Sequence, residues 1–220
     1  MPNAERVSIY IDGGNFHHLV LKKLSIKELD FAFDDFVKFL VNDRSIVNNG
    51  KRFYVGTIRE QANNPRSKLA MSKQTKFFTI LKSFGWEIKT SKLRTRTEKI
   101  IIDDRVVDYQ ALHQKGIYEI KFQRMRENGI DVKLAIDLII GAVDDKYDTA
   151  IIVSSDADLT PAMDWIRQRK GKKVEYVGFS LVDKKQNKNN TKPLETMFHY
   201  SDIQRVLVES DLKKFILHQA

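Results

Sequence analysis

Aspartate is the residue type best placed to do chemistry in this sequence, and four aspartates fall where apolar runs start or stop. Val7-Ser8-Ile9-Tyr10-Ile11 leads into Asp12-Gly13-Gly14-Asn15, and residues 150–153 lead into Ser154-Ser155-Asp156-Ala157-Asp158. Asp131 opens a third apolar stretch. Taken singly, each reads as a turn residue or a helix cap, the commonest work of an aspartate in such a place. Taken together they mean something else. Carboxylates a few ångströms apart repel and raise one another's pKa values unless a cation neutralises them. Ligand sets made only of oxygen suit Mg²⁺ or Mn²⁺ rather than zinc. Such an ion can ready a water for in-line attack on a phosphodiester and stabilise the charge on the leaving oxygen.

The other residue types narrow the chemistry further. The 220 residues include no cysteine, which excludes disulfides, thiolate catalysis and Cys-based zinc sites. His17 and His18 follow the first aspartate closely, but they read as helix residues facing solvent or packing on a neighbour; His113 and His199 stand alone. Gly13-Gly14 is too short for a phosphate-binding glycine loop. The first strand lacks the second acid of an Asp-x-Asp phosphatase motif. The remaining competitor is a non-catalytic nucleic-acid-binding module, which would need no complete acid set.

For these aspartates to meet, their strands must end at one edge of a sheet. Apolar runs at 7–11, 51–58, 86–93, 150–153 and 174–177 alternate with helical patterns near 15, at 33–41, 67–84, from 131, and at 161–170. Gly85 and Gly171 sit where two of those helices should stop. This alternation predicts an α/β fold, a doubly wound, mostly parallel sheet flanked by helices. Ligands in such sheets bind at the carboxyl ends of the strands. The helix from Asp131 precedes the strand at 150–153, so it runs antiparallel to the strands and begins at that same edge. Val132, Ala135, Ile136, Ile139, Ile140 and Val143 form its apolar stripe. Asp137 lies roughly 9 Å further along the axis and about 120° round from Asp131. It is expected to be partly buried with a partner, supporting the site or the helix rather than sharing a metal.

Residues 94–128 read as an insertion in which 99–107 resembles a hairpin and 118–126 is open to strand or helix. Residues 180–193 form a polar Lys/Asn-rich loop, a short helical tail follows, and the whole of 1–220 is expected to be one domain. The formal net charge is +9, which favours polyanionic partners. Basic residues gather at Lys82, Lys89, Lys92, Arg94, Arg96 and Lys99, at Arg124, Arg126 and Lys133, and at Lys184, Lys185 and Lys188. Lys92, Arg94, Arg96, Arg124, Arg126 and Lys133 are the expected nucleic-acid-binding set. Tyr109 and Tyr118 are assigned to hairpin packing, and Phe53, Tyr54 and Trp86 to the core. The first six residues lack a signal-peptide pattern and no run is long enough to span a membrane, so a cytoplasmic protein without membrane partners is expected.

The segments around the aspartates resemble the NYN family, a PIN-like nuclease group that includes the LabA-like proteins. The resemblance rests on strand 7–11 with Asp12-Gly13-Gly14-Asn15, on Gly129-Ile130-Asp131-Val132 leading a helix that carries Asp137, and on Ile151-Ile152-Val153-Ser154-Ser155-Asp156-Ala157-Asp158. It continues through Pro161 and Gly171-Lys172-Lys173-Val174, with Leu194 and Asp202 at the places of a closing Leu and Asp. Each motif is weak alone; their order and spacing make the set specific. The resemblance implies a metal-dependent ribonuclease with Mg²⁺ or Mn²⁺ as cofactor. Asp12, Asp131, Asp156 and Asp158 would ligate the ion or orient the attacking water, and Asn15 would hold a phosphate, a water or the Asp12 carboxylate. RNA is the implied partner, with single-stranded DNA and self-association into a homodimer left open. Two positions depart from the family pattern: Glu127-Asn128-Gly129 stands where relatives carry a lysine, and Ser155 where a glycine is common. Neither removes a ligand, and Lys133 or Arg126 could replace the lysine.

Overall fold

β1 (Arg6–Asp12) shows why this chain builds a parallel sheet. Its Val, Ile and Tyr side chains suit a pleated surface, and it has a parallel neighbour on each side, so Val7 through Asp12 are all buried. A continuous rather than alternating apolar run is what a strand covered on both faces requires. The structure, a computed structural model, describes residues 4–58, 60, 64–92, 94–126, 129–183 and 190–217.

After β1 the chain turns into α1 (Gly13–Phe16), a π-helical turn His17–Leu21 and α2 (Lys22–Leu24), which follow one another without a break. α3 (Phe33–Val41), β2 (Ser45–Thr57), α4 (Pro65–Ser83) and β3 (Glu87–Lys92) come next. β4 (Arg94–Ile101), α5 (Tyr109–Gln114) and β5 (Glu119–Arg126) form the insertion. α6 (Ile130–Val143), β6 (Thr149–Val153), α7 (Thr160–Lys170) and β7 (Lys173–Ser180) return to the sheet. α8 (Glu195–His199), β8 (Ile203–Val208) and α9 (Glu209–Lys213) complete the order. The main sheet runs β3-β2-β1-β6-β7-β8 with every pairing parallel.

The period of two along β1 divides the core into two layers. Ile9 and Ile11 face the layer holding Phe16, Phe33, Phe36, Phe53, Phe77 and Trp86, under α1, α3 and α4. Tyr10 faces the layer holding Tyr54, Leu134, Leu138, Tyr147 and Met163, under α6 and α7. Because Asp12 shares parity with Tyr10, it belongs to the side on which α6 packs.

Three expectations need correction. The hairpin is longer than residues 99–107: β4 pairs antiparallel with β5 from Arg94↔Arg126 to Ile101↔Glu119, as a separate two-stranded sheet. The chain does not reverse at Asp103, because the Asp103 carboxylate accepts the Arg105 N–H (3.1 Å) and shapes a turn that leads to α5. Second, most of the α6 stripe does not face the core, and only its Ala135 and Ile139 pack against it. Val132, Ile136, Ile140 and Val143 are exposed, and Leu134, Leu138, Gly141 and Ala142 dock on the sheet. α6 is apolar nearly all round, so packing chooses the face. A Cβ at Gly141 would lie 2.6 Å from the Tyr147 ring, so the glycine lets that ring pack against the docked side. Third, the tail is not only helical: β8 adds a sixth strand along β7. No helix among the described residues is long and apolar enough to cross a membrane.

Candidate metal centre

Asp12 ends β1 and caps the helix that follows. Its Oδ1 accepts the Asn15 N–H (2.9 Å) and its Oδ2 accepts the Ser154 hydroxyl (3.1 Å), leaving the residue 5% exposed. Asp131 stands in the first turn of α6, placed there by Gly129, whose φ of +77° is a conformation glycine adopts without strain. Asp156 follows β6 and caps the short 3₁₀ turn Ala157–Leu159, its Oδ1 accepting the Asp158 N–H (2.9 Å). A further bond ties the two strand ends together: the Ser155 N–H donates to the Asn15 side-chain oxygen (3.1 Å).

These three elements bring one carboxylate oxygen each from Asp12, Asp131 and Asp156 within 4.8 Å of one another. Burial, and then the charges of Asp156 and Asp158, push the Asp131 carboxyl above the usual carboxylate range. Three carboxylates held this close, two by capping bonds and Asp131 by its place in the first turn of α6, are at an unfavourable electrostatic cost chemically suited to a divalent cation. Two oxygens on one Mg²⁺ lie at most about 4.2 Å apart, from ligand distances near 2.1 Å, so a small side-chain adjustment closes the set. Among the described residues no histidine joins this group.

Asp158 is the expected ligand that does not join. Its backbone serves Asp156 while its exposed carboxylate stays outside the cluster, near enough to raise Asp131 but not to share its oxygens. Asn15 meets one of its three expected roles, holding the Asp12 carboxylate. Its backbone holds the Asp12 carboxylate and its side-chain oxygen holds the β6–α7 connection, so it fastens the site rather than facing an open position with both groups. Asp137 is partly buried and partnered, as its surroundings required. It accepts the Tyr54 hydroxyl (2.8 Å) and lies 3.6 Å from Lys89 Nζ, which pins α6 to β2 and β3 away from the cluster. Asp144, Asp145 and Asp148 sit at the opposite edge in surface pairs with Lys146, Lys172 and Arg6.

Four of the six basic candidates, Arg94, Arg96, Arg124 and Arg126, lie on the insertion. Lys92 ends β3, and Arg96 and Arg124 are exposed and opposite each other in the β4–β5 register. Arg124 lies 3.7 Å from Glu98. The backbones of Arg94 and Arg126 pair at the end of the arm where β5 stops, five residues before Asp131 in the chain; their side chains lie outside the described residues, as do Lys184, Lys185 and Lys188. Lys133 donates to the Thr90 carbonyl (2.5 Å), locking α6 to β3. His17 pairs with Glu28 (2.7 Å) and His18 is exposed. Tyr118 packs on His113, itself bonded to the Ile102 carbonyl (2.7 Å).

Sequence reasoning passed over Ser154. A hydroxyl at the first position beyond a fully apolar strand, next to a strand ending in Asp, was the available signal.

The family model described as the NYN domain matches residues 6–200. A protein of unknown function from Vibrio parahaemolyticus has a similar structure, with a TM-score of 0.55 and 19% sequence identity, covering 99% of each chain. That likeness concerns the fold alone. No curated protein matches the sequence.

Proposed function

Since the chain belongs to the NYN domain family, a family of PIN-like nucleases, we propose that it is a ribonuclease that hydrolyses RNA phosphodiester bonds, as an endonuclease, with Mg²⁺ or Mn²⁺. One observation carries this reading: oxygens of Asp12, Asp131 and Asp156, from three separate parts of the chain, converge within 4.8 Å. These three residues would hold the ion. When bound it would supply charge for the scissile phosphate and acidify a water.

The chain's own groups account for the rest. Asn15 and Ser154 keep the Asp12 carboxylate and the β6–α7 connection in register. Asp158, outside the cluster and exposed, would accept a hydrogen bond from the attacking water. Lys92 and the arginines at the base of the β4–β5 arm would carry the flanking phosphates, since basic groups beside an acidic pit let the polyanion approach what would otherwise repel it.

The test is cleavage of a labelled single-stranded RNA by the purified chain. Cutting is expected with Mg²⁺ or Mn²⁺, loss of cutting in EDTA, and at least a 100-fold loss in Asp156→Asn, the order associated with removing a group that organises transition-state charge. Equal cutting by wild type, variant and EDTA-treated protein would overturn the assignment. RNA binding without cleavage under any metal would favour the binding module instead.

A further inference from the structure

We infer that the cavity between α4 and the chain just after α2 is a nucleobase site for an unpaired nucleotide of the RNA whose phosphate lies on the aspartate triad. The inference rests on the nuclease reading and adds where the substrate's base goes. The cavity measures about 440 Å³, within the range of roughly 300–1,000 Å³ usual for small organic ligands. Its lining includes Phe53, Phe77 and Phe78, with Lys27, Glu28, Asp30 and Lys73 among its polar residues. Every base offers a π-face, so aromatic walls bind bases with little regard to sequence.

Its position argues for a nucleobase rather than a free metabolite. Gly13, the residue after Asp12, forms part of the wall. The triad lies on the α6 side of the sheet, whereas Phe53 and Phe77 belong to the layer under α3 and α4. A nucleotide would therefore straddle the carboxyl edge, its phosphate on one side and its base over the other, with Gly13 as the saddle. Glycine is needed there: a Cβ on Gly13 would lie 2.4 Å from Phe53 Cε1, and a side chain would displace that ring from the cavity wall.

The polar groups point to loose base selectivity. The Gln74 amide, the obvious reader of a base edge, is committed to β2: its oxygen accepts the Ile58 N–H and its nitrogen donates to the Gly56 carbonyl, both at 2.9 Å. With Gln74 committed and Glu28 bonded to His17, the cavity contributes mainly shape and aromatic surface, and Lys27, Lys73 and Asp30 supply charge at its polar residues. A base held in a duplex cannot enter such a pocket, so unpaired RNA is the substrate class.

The test uses the whole chain in EDTA, where cleavage plays no part, and compares AMP, UMP and ribose 5-phosphate by calorimetry or NMR titration. Both nucleotides are expected to bind about tenfold tighter than the base-free sugar phosphate, the scale of one stacked base. Ala70→Trp, which fills the cavity from the partly exposed face of α4, should erase that difference while far-UV circular dichroism stays unchanged. The wild-type comparison stands even if this variant misfolds. Equal binding of AMP and ribose 5-phosphate, or a preference that survives in folded Ala70→Trp, would overturn the inference. RNA cleavage together with equal binding of AMP and ribose 5-phosphate sinks the cavity and leaves the nuclease. A base preference abolished by Ala70→Trp, in a protein that cuts no RNA, supports the cavity and sinks the nuclease.

Discussion

Asp12 performs two jobs that substitution can separate. Its carboxylate caps α1 through Asn15 and contributes an oxygen to the triad. Asparagine can still accept the Asn15 N–H but is a poor ligand for a hard cation. Alanine can do neither. Both Asp12→Asn and Asp12→Ala should lose the Mn²⁺-induced rise in Tm, and Asp12→Ala should unfold about 1 kcal/mol more easily than Asp12→Asn in EDTA. If both variants kept the Mn²⁺ shift, Asp12 would not be a ligand. His17 supplies a separate pH signature. Its bond to Glu28 holds the imidazole above its ordinary value of 6.5. A raised folded-state pKa stabilises fully below the unfolded value and is lost as pH rises through the folded one. Both side chains are 42% exposed, so the effect is under about 1 kcal/mol. Urea unfolding at pH 6 and pH 8 should show a loss in wild type that His17→Gln lacks; equal losses would remove His17 as the source. At this scale the sequence made the triad legible, because each aspartate follows an apolar strand or leads an apolar helix. It could not show that Asp158 stays outside the cluster, since the spacing Asp156-Ala157-Asp158 does not reveal the 3₁₀ turn in which the Asp158 N–H serves the Asp156 carboxylate.

At the level of elements, the least expected device is Glu175, in the middle of β7 and wholly buried. Arg44, three residues beyond α3, reaches it at 2.7 Å, and Arg205, on β8, at 2.9 Å. Arg44 also donates to the carbonyls of Leu40 and Val41. One carboxylate thus fastens a helix terminus and an edge strand to the sheet. Glu175→Gln leaves two mostly buried guanidinium groups facing each other and should cost roughly 3 kcal/mol, read as a lower denaturation midpoint with unchanged slope. A cost below about 0.5 kcal/mol would mean that solvent satisfies those arginines in its absence. The signal was present in Lys173-Val174-Glu175-Tyr176-Val177, an acid inside a run that must be buried on both faces. Elsewhere the elements were hidden for physical reasons. The β4–β5 arm has neither a covered face nor a simple turn, so its period is weak. α6 carries apolar residues on both sides, so periodicity alone could not say which side the sheet would claim. β8 is an edge strand whose exposed positions blur its pattern.

The whole molecule was the most legible level, because alternating strand and helix patterns allow few arrangements besides a parallel sheet, and the parallel sheet places strand-end aspartates together. The charge has to be understood at the same scale. A chain of net charge +9 whose acids converge in one pit should hold RNA chiefly through phosphate contacts around that pit. Each such contact releases counterions, so the logarithm of the binding constant should fall linearly with the logarithm of salt, by about 0.7 per phosphate for single strands. Arg96 and Arg124 oppose each other in the arm, an arrangement of like charges that disfavours the hairpin and that a phosphate would relieve. In an Asp156→Asn background, which should bind without cutting, Arg96→Ser with Arg124→Ser should flatten the slope by about 1.4, two contacts' worth. Their thermal stability should stay level or rise slightly as the repulsion disappears. An unchanged salt slope, with the fold intact, would take the arm out of the RNA path and move the phosphate contacts to Lys92 and the sheet edge.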